Sequence, residues 1–251
     1  MKDNSLKTIG IIPARYGSTR FPGKPLALIA GVSLIQRTYE NAVRCGCYDK
    51  LLVATDDARI YDHVKGFGGE VIMTSEQCPT GTDRVLEAAN TLEALDDNDI
   101  IVNVQADEPL LGEGVVPALV NALNSDADVA TPVTALPEED IDDPSVVKCV
   151  IGTDGMALSF SRKIAPHDDK GTTPTYYKHL GIYAFRYHFL KEFATLAPTP
   201  LQQAEDLEQL KILEHGHAIA IAIVEDDGIG VDTPEDITKV EKILCRQNIS
   251  S

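Results

Sequence analysis

The chain has 251 residues, of which 43% are hydrophobic and 24% charged, and its formal net charge at pH 7 is −17. This composition is typical of a folded globular protein and excludes a disordered or fibrous chain. Because nucleic acids and anionic membrane surfaces attract positively charged proteins, we expect neither as a partner. A phosphate ligand would need a local group of Arg, Lys and backbone N–H groups, whereas metal cations suit the acidic background.

The sequence shows no signal for membrane insertion or secretion, and its cysteines follow no metal-binding or disulfide pattern. No apolar run is long enough to cross a bilayer, and the polar segment 1–7 is not followed by the apolar part of a signal peptide, so we expect no membrane insertion. The five cysteines contain no C-x-x-C pair, which argues against both a zinc ribbon and a disulfide framework. Free thiols in a reducing cytoplasm are therefore expected.

The first half of the chain alternates short apolar runs with segments of helical period. Strands are predicted over 8–14, 50–54, 70–73, 100–104 and 129–133, and helices near 32–45, 57–66, 82–95 and 113–124. Near-continuous apolar strands separated by helices are typical of a parallel sheet that is covered on both faces. Such sheets bind ligands outside the carboxyl ends of their strands, and we expect the chemistry at that edge.

The second half is predicted to be more antiparallel. Strands are predicted over 146–151, 156–161, 180–185 and 218–224, and helices near 203–215 and 234–245. The polar segment 166–174 is the kind of loop that covers a site or contacts a partner chain. The pattern predicts one α/β domain over 1–251, with a Rossmann-like, mostly parallel sheet flanked by helices and a smaller inserted antiparallel portion at about 145–190.

A cationic loop follows the first predicted strand. Arg15, Arg20 and Lys24 lie within ten positions, and Gly17 and Gly23 let the backbone approach a ligand closely. In an acidic chain this pattern predicts a polyphosphate cradle, although a surface turn with solvated cations is the alternative. The loop is neither a P-loop nor a G-x-G-x-x-G turn, which argues against an ATPase and a dehydrogenase.

The sequence of this loop, P-A-R-Y-G-S-T-R-F-P-G-K-P-L, resembles the amino-terminal signature of the 3-deoxy-D-manno-octulosonate (Kdo) cytidylyltransferases. Further segments agree in order and spacing: G-T-D-R at 81–84, N-V-Q-A-D-E-P at 103–109, F-S-R at 160–162, H-L-G-I-Y at 179–183, L-E-Q-L at 207–210 and G-V-D-T-P-E-D at 230–236. The resemblance covers residues 8 to 240. It implies the fold of the nucleotide-diphospho-sugar transferases.

Two aspartates are predicted to bind a divalent cation. Asp107 follows the apolar run 100–104, so it should lie at the carboxyl end of a strand, where it could bind Mg²⁺ or only cap a turn. Asp232 precedes a helix start that Thr233 and Pro234 already provide, which leaves it available as a second ligand. The alternative is that Asp232 only adds charge near the helix dipole. In the resembled family, aspartates in both motifs hold Mg²⁺.

The resemblance also implies the reaction. CTP and Kdo would give CMP-Kdo and diphosphate for lipopolysaccharide biosynthesis, by Mg²⁺-assisted attack of the sugar's anomeric hydroxyl on the α-phosphate. The implied catalytic residues are Arg15, Lys24 and Asp107. The expected nucleotide contacts are Arg15, Arg20, Lys24, Thr80, Gly81, Thr82 and Arg84. A cytoplasmic homodimer is implied in the same way.

Six residues are expected to contact the sugar: Gln105, Arg162, His179, Tyr183, Glu208 and Gln209. Arg162 matches the family position for the anionic sugar. His179 and Tyr183 are expected on one face of one predicted strand, pointing into the pocket or into the interior. Glu208 and Gln209 open a helical stretch and could equally form a solvated face.

The sequence departs from the family pattern at three points. Cys78 stands near the position where relatives commonly carry His, Ala106 replaces the glycine of Q-G-D-E-P, and the segment 166–174 looks shorter than in some relatives. Two other functions stay open: a cytidylyltransferase for another acidic sugar, such as a sialic acid or an eight-carbon amino sugar, and a nucleotide-binding module without turnover.

Overall fold

The computed structural model describes residues 6–17, 21–164, 174–226 and 229–249. Two compact units make up the chain: Met1–Glu113 with Gly228–Ser251, and Gly114–Asp227. The portion predicted as an insertion lies within the second unit, and its description as an insertion into one domain stays a prediction. None of the helices in the described part of the chain has the length and apolar character that a bilayer crossing requires.

A parallel sheet of four strands forms the centre of the first unit. Its strands are β1 (Thr8–Ala14), β4 (Lys50–Thr55), β5 (Val71–Met73) and β6 (Ile100–Asn103), while β2 (Leu28–Ile29) and β3 (Val32–Ser33) form a separate hairpin. The order is β5-β4-β1-β6, with every pairing parallel. Neighbours such as Ile11 and Ile12 point to opposite faces of β1 and are both fully buried, so the sheet is covered on both sides.

Three helices connect the strands of this unit: α1 (Leu34–Cys45), α2 (Ala58–Gly66) and α3 (Gly81–Asn90). α1 begins where the Ser33 side chain accepts the N–H of Gln36, and it ends at Gly46, whose φ of 62° is readily adopted by glycine. α3 begins with a capping box formed by Thr80 and Asp83. α2 and α3 both start shortly after a strand ends, so their N-termini lie at the carboxyl edge of the sheet.

The second unit contains a mixed sheet. Its elements are α4 (Val115–Ala122), β7 (Val129–Ala135), β8 (Lys148–Ile151), β9 (Ala157–Ser161), β10 (Tyr176–His179), β11 (Tyr183–Arg186), α5 (Tyr187–Phe193), α6 (Pro200–Glu205), α7 (Gln209–Glu214) and β12 (Ala220–Ile223). β7 pairs antiparallel with β10 and β11 and parallel with β12, and β8 pairs antiparallel with β9 and β10.

The last helix, α8 (Pro234–Ile249), belongs to the first unit. Its Val240 packs with Val231, Ile29 and Leu34 in one buried apolar cluster. The Glu241 carboxylate accepts the N–H of Ala30, 2.7 Å away, in the turn between β2 and β3. α8 is therefore fixed to the hairpin that follows the cationic loop.

The α/β prediction with a mostly parallel sheet is confirmed, but two predicted elements differ. The strand predicted over 180–185 begins only at Tyr183, as β11, because residues 180–182 connect it to β10, a strand that was not predicted. The helix predicted near 203–215 is two helices, α6 and α7, because Asp206 adopts a left-handed φ of 53° and interrupts the helical path. Of the predicted loop 166–174, only Pro174 lies within the described residues.

The expectation of free cysteines is wrong for one pair. Cys45 and Cys47, on either side of the glycine that ends α1, form a disulfide. Cys78 and Cys149 are buried free thiols, and Cys245 is an exposed one. Cys45 and Cys47 are only two positions apart, so their bond closes a very short loop and is not the kind of disulfide framework that stabilises small secreted domains. The pair has the pattern C-x-C, so a search for C-x-x-C pairs does not find it.

Candidate active site

One lysine joins the two predicted metal ligands. The Nζ of Lys24 lies 2.6 Å from Oδ2 of Asp107 and 3.3 Å from Oδ1 of Asp232. Burial lowers the pKa of Lys24, but the two carboxylates outweigh this effect and raise the pKa above its ordinary value. The two aspartates, far apart in sequence, thus converge on one cation supplied by the cationic loop.

A cavity of about 390 Å³ opens beside this group. Its lining comes from the end of β1, the cationic loop, the start of α1 and the turn after β6: Pro13, Ala14, Arg15, Gly17, Lys24, Pro25, Leu34, Gln105, Ala106 and Asp107. The cavity therefore lies at the carboxyl edge of the sheet, where the strand pattern predicts ligand binding.

Backbone hydrogen bonds bring the two aspartates together. Asp107 sits in a turn closed by the N–H of Glu108 and the carbonyl of Gln105, 3.2 Å apart, and its own carbonyl accepts the N–H of Val231 at 2.9 Å. Asp236 caps α8 by accepting the N–H groups of Asp232 and Thr233, so the Asp232 side chain is not needed as the cap. This is the helix start that the sequence predicts.

The conformation of the cationic loop depends on Tyr16, Gly23 and Arg59. Gly23 donates its N–H to the Tyr16 carbonyl, 2.9 Å away, and has a φ of 72° immediately before Lys24. The Arg59 guanidinium lies 3.3 Å over the centre of the Tyr16 ring. Sequence reasoning missed Tyr16 and Arg59, because nothing local relates α2 to this loop. Arg20 lies outside the described residues.

Arg15 extends from the loop towards the turn before α3. Its guanidinium is exposed and donates to the Pro79 carbonyl at 3.4 Å. The Thr80 hydroxyl accepts the N–H of Asp83, as part of the capping box, at 3.2 Å. A Cβ at Gly81 would be 3.5 Å from the Pro13 side chain, an ordinary contact, so that position does not exclude a side chain. Arg15 therefore lies beside this turn.

The last two nucleotide candidates are buried. Thr82 accepts a hydrogen bond from the Asn103 amide at 3.3 Å. Arg84 is 1% exposed, forms an ion pair with Asp56 and donates to the Thr74 hydroxyl. Its guanidinium thus connects the ends of β4 and β5 and does not line the cavity described above. Its predicted contact with the nucleotide stays a prediction.

Cys78 stands beside the same turn. Its thiol donates to Glu87 Oε2, 3.0 Å away. Burial, followed by the charge and hydrogen bond of Glu87, raises the pKa of the thiol to about 11. The thiol therefore stays protonated at neutral pH, and Cys78 does not act there as a nucleophile.

The second unit groups two of the predicted sugar residues, though not as predicted. His179 ends β10 and Tyr183 begins β11, so they do not alternate along one strand, yet their rings lie 5.6 Å apart. His179 also contacts the Thr131 hydroxyl at 2.9 Å, and burial lowers its pKa to about 3. Burial and then the Glu208 charge raise the Tyr183 pKa well above its usual value, which places Glu208 near this pair.

Arg162 braces the connection between α6 and α7. Its side chain donates to the carbonyls of Glu205, Asp206 and Pro144, at 3.0, 3.4 and 3.1 Å. That connection leads into Glu208 and Gln209. Gln209 is 4% exposed, so the alternative of a solvated helix face is wrong for this residue.

The chain matches the family model described as Cytidylyltransferase over residues 9–221. A 3-deoxy-manno-octulosonate cytidylyltransferase of Protochlamydia amoebophila is 52% identical over 246 residues, covering 96% of this chain and 95% of that protein. The mitochondrial protein of the same name from Arabidopsis thaliana is 46% identical over 249 residues, covering 97% of this chain and 85% of that protein.

Solved structures agree with these relatives. The structure of CMP:2-keto-3-deoxy-manno-octonic acid synthetase complexed with CTP has a TM-score of 0.89 at 39% identity, covering 96% of this chain and 99% of that one. A 4-diphosphocytidyl-2C-methyl-D-erythritol synthase from Anaerococcus prevotii has a TM-score of 0.60 at 16% identity, covering 95% and 98%. The second likeness is one of fold alone.

Proposed function

The chain belongs to the 3-deoxy-manno-octulosonate cytidylyltransferases, a family of nucleotidyltransferases, and from this premise we propose a Mg²⁺-assisted displacement for its reaction. The anomeric hydroxyl oxygen of Kdo forms a bond to the α-phosphorus of CTP. The bond from that phosphorus to the oxygen bridging to the β-phosphate breaks, and diphosphate leaves with the electron pair. One observation carries the proposal: Lys24 holds Asp107 and Asp232 together beside the cavity that Arg15 lines.

The cationic side chains have separate tasks in this scheme. Burial does not deprotonate Lys24 at neutral pH, because the two carboxylates keep its pKa above its ordinary value, so Lys24 can bind phosphate oxygens as a cation. Arg15 is exposed at the other side of the loop and can bind the leaving diphosphate with its planar guanidinium. Both charges stabilise the negative charge that grows on the phosphates in the transition state.

The two aspartates suit a magnesium ion. Mg²⁺ prefers oxygen ligands and is usually bound by one or two carboxylates together with substrate phosphates and water. Among the described residues no group of three or more Asp, Glu, His or Cys is placed to hold a metal ion by itself. Asp107 and Asp232 would hold the ion. The ion would neutralise phosphate oxygens there and would favour loss of the proton from the attacking hydroxyl to water.

The family-matched candidates for recognition of Kdo are Gln105, which lines the cavity of the first unit, and, considered separately, the residues around His179 in the second unit. His179 is uncharged at neutral pH, because its pKa is about 3, so it can act only as a neutral hydrogen-bonding group. The Arg162 guanidinium has five N–H groups, and it donates three hydrogen bonds to backbone carbonyls of the described residues. Arg162 can therefore hold the segment before Glu208 and still donate to the sugar carboxylate.

Diphosphate release tests the reaction. The assay takes each nucleoside triphosphate with Kdo, a sialic acid or an eight-carbon amino sugar, with and without Mg²⁺. We expect release with CTP, dependent on both Kdo and Mg²⁺. If CTP-dependent release required a different acidic sugar, that sugar and not Kdo would be the substrate. Binding of CTP without release under any condition would indicate a nucleotide-binding module without turnover.

Carboxamide variants test the metal ligands. We expect Asp107→Asn to lower kcat by at least 100-fold, and Asp232→Asn by at least 10-fold, because each removes an anionic oxygen ligand while preserving size. The matched control is Asp62→Asn on the exposed face of α2, which should leave kcat within twofold. Near-normal turnover of Asp107→Asn would contradict the metal role.

The setting of the reaction is also proposed from the family. We infer a homodimer in the cytoplasm that supplies CMP-Kdo to lipopolysaccharide assembly. This setting is what the resemblance to the family implies, although the Arabidopsis thaliana relative is named mitochondrial. Sedimentation of the purified protein together with cell fractionation tests it. A monomer at micromolar concentration would contradict the proposed dimer.

A further inference from the structure

We propose that Thr38 is a positioning residue for this reaction: its buried hydroxyl bonds the Ala106 carbonyl and so fixes the direction in which Asp107 presents its carboxylate. The inference rests on the proposed role of Asp107 in holding the magnesium ion. It concerns a residue of α1 that carries no charge, and none of the motifs discussed above includes it.

The contact joins the inside of a helix to the catalytic turn. Thr38 is 1% exposed, and its Oγ1 donates to the Ala106 carbonyl at 2.9 Å. A threonine within a helix commonly bonds a carbonyl one turn back in the same helix. Here the hydroxyl instead reaches the turn after β6. A buried hydroxyl needs a partner, so this bond is retained as long as the turn keeps its present shape.

Thr38 bonds the carbonyl of the central peptide of the turn, and the orientation of this peptide distinguishes type I from type II turns. Ala106 and Asp107 are the two central residues between Gln105 and Glu108. Type I and type II turns differ by a flip of the peptide between these central residues, and the flipped form needs a positive φ at the second of them. Among the described residues, the non-glycine residues with positive φ are Ala30, Ala94 and Asp206, so Asp107 is in the unflipped form.

Other contacts among the described residues hold the parts of the segment on either side of this peptide. One helical turn further along α1, the Asn41 amide donates to the Leu111 carbonyl at 2.7 Å. The Asp107 carbonyl accepts the N–H of Val231, which leads into Asp232. If the peptide between Ala106 and Asp107 flipped, the two Cα atoms would stay nearly in place, but Asp107 would take a positive φ and the direction of its Cα–Cβ bond would change. The hydroxyl of Thr38 therefore stabilises the arrangement in which both carboxylates face Lys24.

A comparison of Thr38→Val with Thr38→Ser tests the hydroxyl. Valine keeps the shape of threonine and removes the donor, whereas serine keeps the donor and removes a methyl group. We expect Thr38→Val to lower kcat about 10-fold and to raise the Mg²⁺ concentration for half-maximal rate about fivefold, with KM for Kdo unchanged. We expect Thr38→Ser to stay within twofold of the parent protein in all three quantities.

A binding measurement separates position from turnover. Calorimetric titration of CTP at saturating Mg²⁺, without Kdo, should give a Kd about fivefold higher for Thr38→Val and within twofold for Thr38→Ser. The matched control is Thr91→Val, because the Thr91 hydroxyl donates to the Ala88 carbonyl at 2.7 Å in the same unit, beyond the end of α3. This control should change neither kcat nor Kd.

Two results would overturn the inference. One is a Thr38→Val protein with kcat, Mg²⁺ dependence and CTP affinity within twofold of the parent. The other is an equal loss in Thr38→Val and Thr38→Ser, which would assign the effect to packing. If Thr38→Val does not fold, Thr38→Ala is the second variant: it also removes the donor, so it should raise the Mg²⁺ requirement, and an unchanged requirement would count against the inference. Failure of the proposed function is distinct, since the parent protein itself would then release no diphosphate.

Discussion

At the scale of single residues, the position of Lys24 depends on the glycine before it. Gly23 has a φ of 72°, and a Cβ there would lie 3.1 Å from the Tyr16 ring. An L-residue in this left-handed conformation costs about 1–2 kcal/mol, and the Tyr16 ring or the loop would also have to shift. That ring is held by Arg59 on α2, so the strain falls on the loop that carries Lys24.

We therefore expect Gly23→Ala to lower both stability and turnover. The free energy of unfolding in urea should fall by about 1–2 kcal/mol, and kcat should fall at least 10-fold. Gly31→Ala is the matched control: Gly31 has a φ of 78°, but a Cβ there meets no heavy atom within 4 Å. It should show the stability loss with kcat nearly unchanged. Equal kcat values in the two variants would mean that crowding against Tyr16 is irrelevant.

Asp236, at the start of α8, provides a prediction about a whole element. Burial alone would raise the pKa of Asp236, but hydrogen bonds from Lys239, Thr233 and Asp232 lower it to about 2. Because the folded pKa lies below the unfolded value of about 3.9, the stabilisation is full above pH 4 and is lost as pH falls towards 2. The same carboxylate anchors the backbone beside Asp232.

Removal of this cap should weaken α8. We expect Asp236→Ala to lower the free energy of unfolding by about 1–2 kcal/mol at pH 7 and to lower kcat, since Asp232 loses its backbone anchor. The difference in stability from the parent should shrink between pH 4 and pH 2. Glu235→Ala, an exposed carboxylate in the same helical turn, should cost no more than about 0.5 kcal/mol. A pH-independent difference would show that the charge of Asp236 contributes nothing.

Elements that depend on local signals could be predicted from the sequence. β1 was predicted with its bounds, and the N-terminus of α8 follows from Thr233, Pro234 and Asp236, whose caps and turns are formed by neighbours in the chain. The convergence of Asp107 and the cationic loop at one sheet edge also follows, because parallel strands share their carboxyl edge.

Tertiary partners could not be predicted in this way. Arg84 belongs to a recognisable motif, yet its guanidinium is buried against Asp56, a residue on another strand-to-helix connection. His179 and Tyr183 come together across the turn between β10 and β11, and a strand pattern read along one segment places them on one strand. The Thr38 hydroxyl gives no sequence signal at all, because a threonine in a helix looks the same whichever carbonyl it bonds.

At the scale of the whole molecule, charge opposes the arrival of the substrate. The chain as a whole carries a formal charge of −17, whereas the cavity itself is lined by two cationic side chains, Lys24 and Arg15. The Debye length is about 30 Å at 10 mM salt and about 8 Å at 150 mM. At low salt the nucleotide triphosphate, an anion even with Mg²⁺ bound, experiences the repulsion of the entire protein. At moderate salt that long-range repulsion is screened, whereas the attraction between the nucleotide phosphates and Lys24 or Arg15, which acts over a few ångströms, persists.

Nucleotide association should consequently pass through a maximum as salt increases. We expect the association rate constant of Mg²⁺–CTP, measured by stopped flow at constant free Mg²⁺, to rise about two- to fivefold from 10 to 150 mM KCl. It should then fall towards 500 mM, as ion contacts within the cavity are screened in turn. Cytidine, which is uncharged, serves as the matched ligand and should show no maximum. A rate constant for Mg²⁺–CTP that falls steadily from the lowest salt would mean that the cationic loop alone governs the approach.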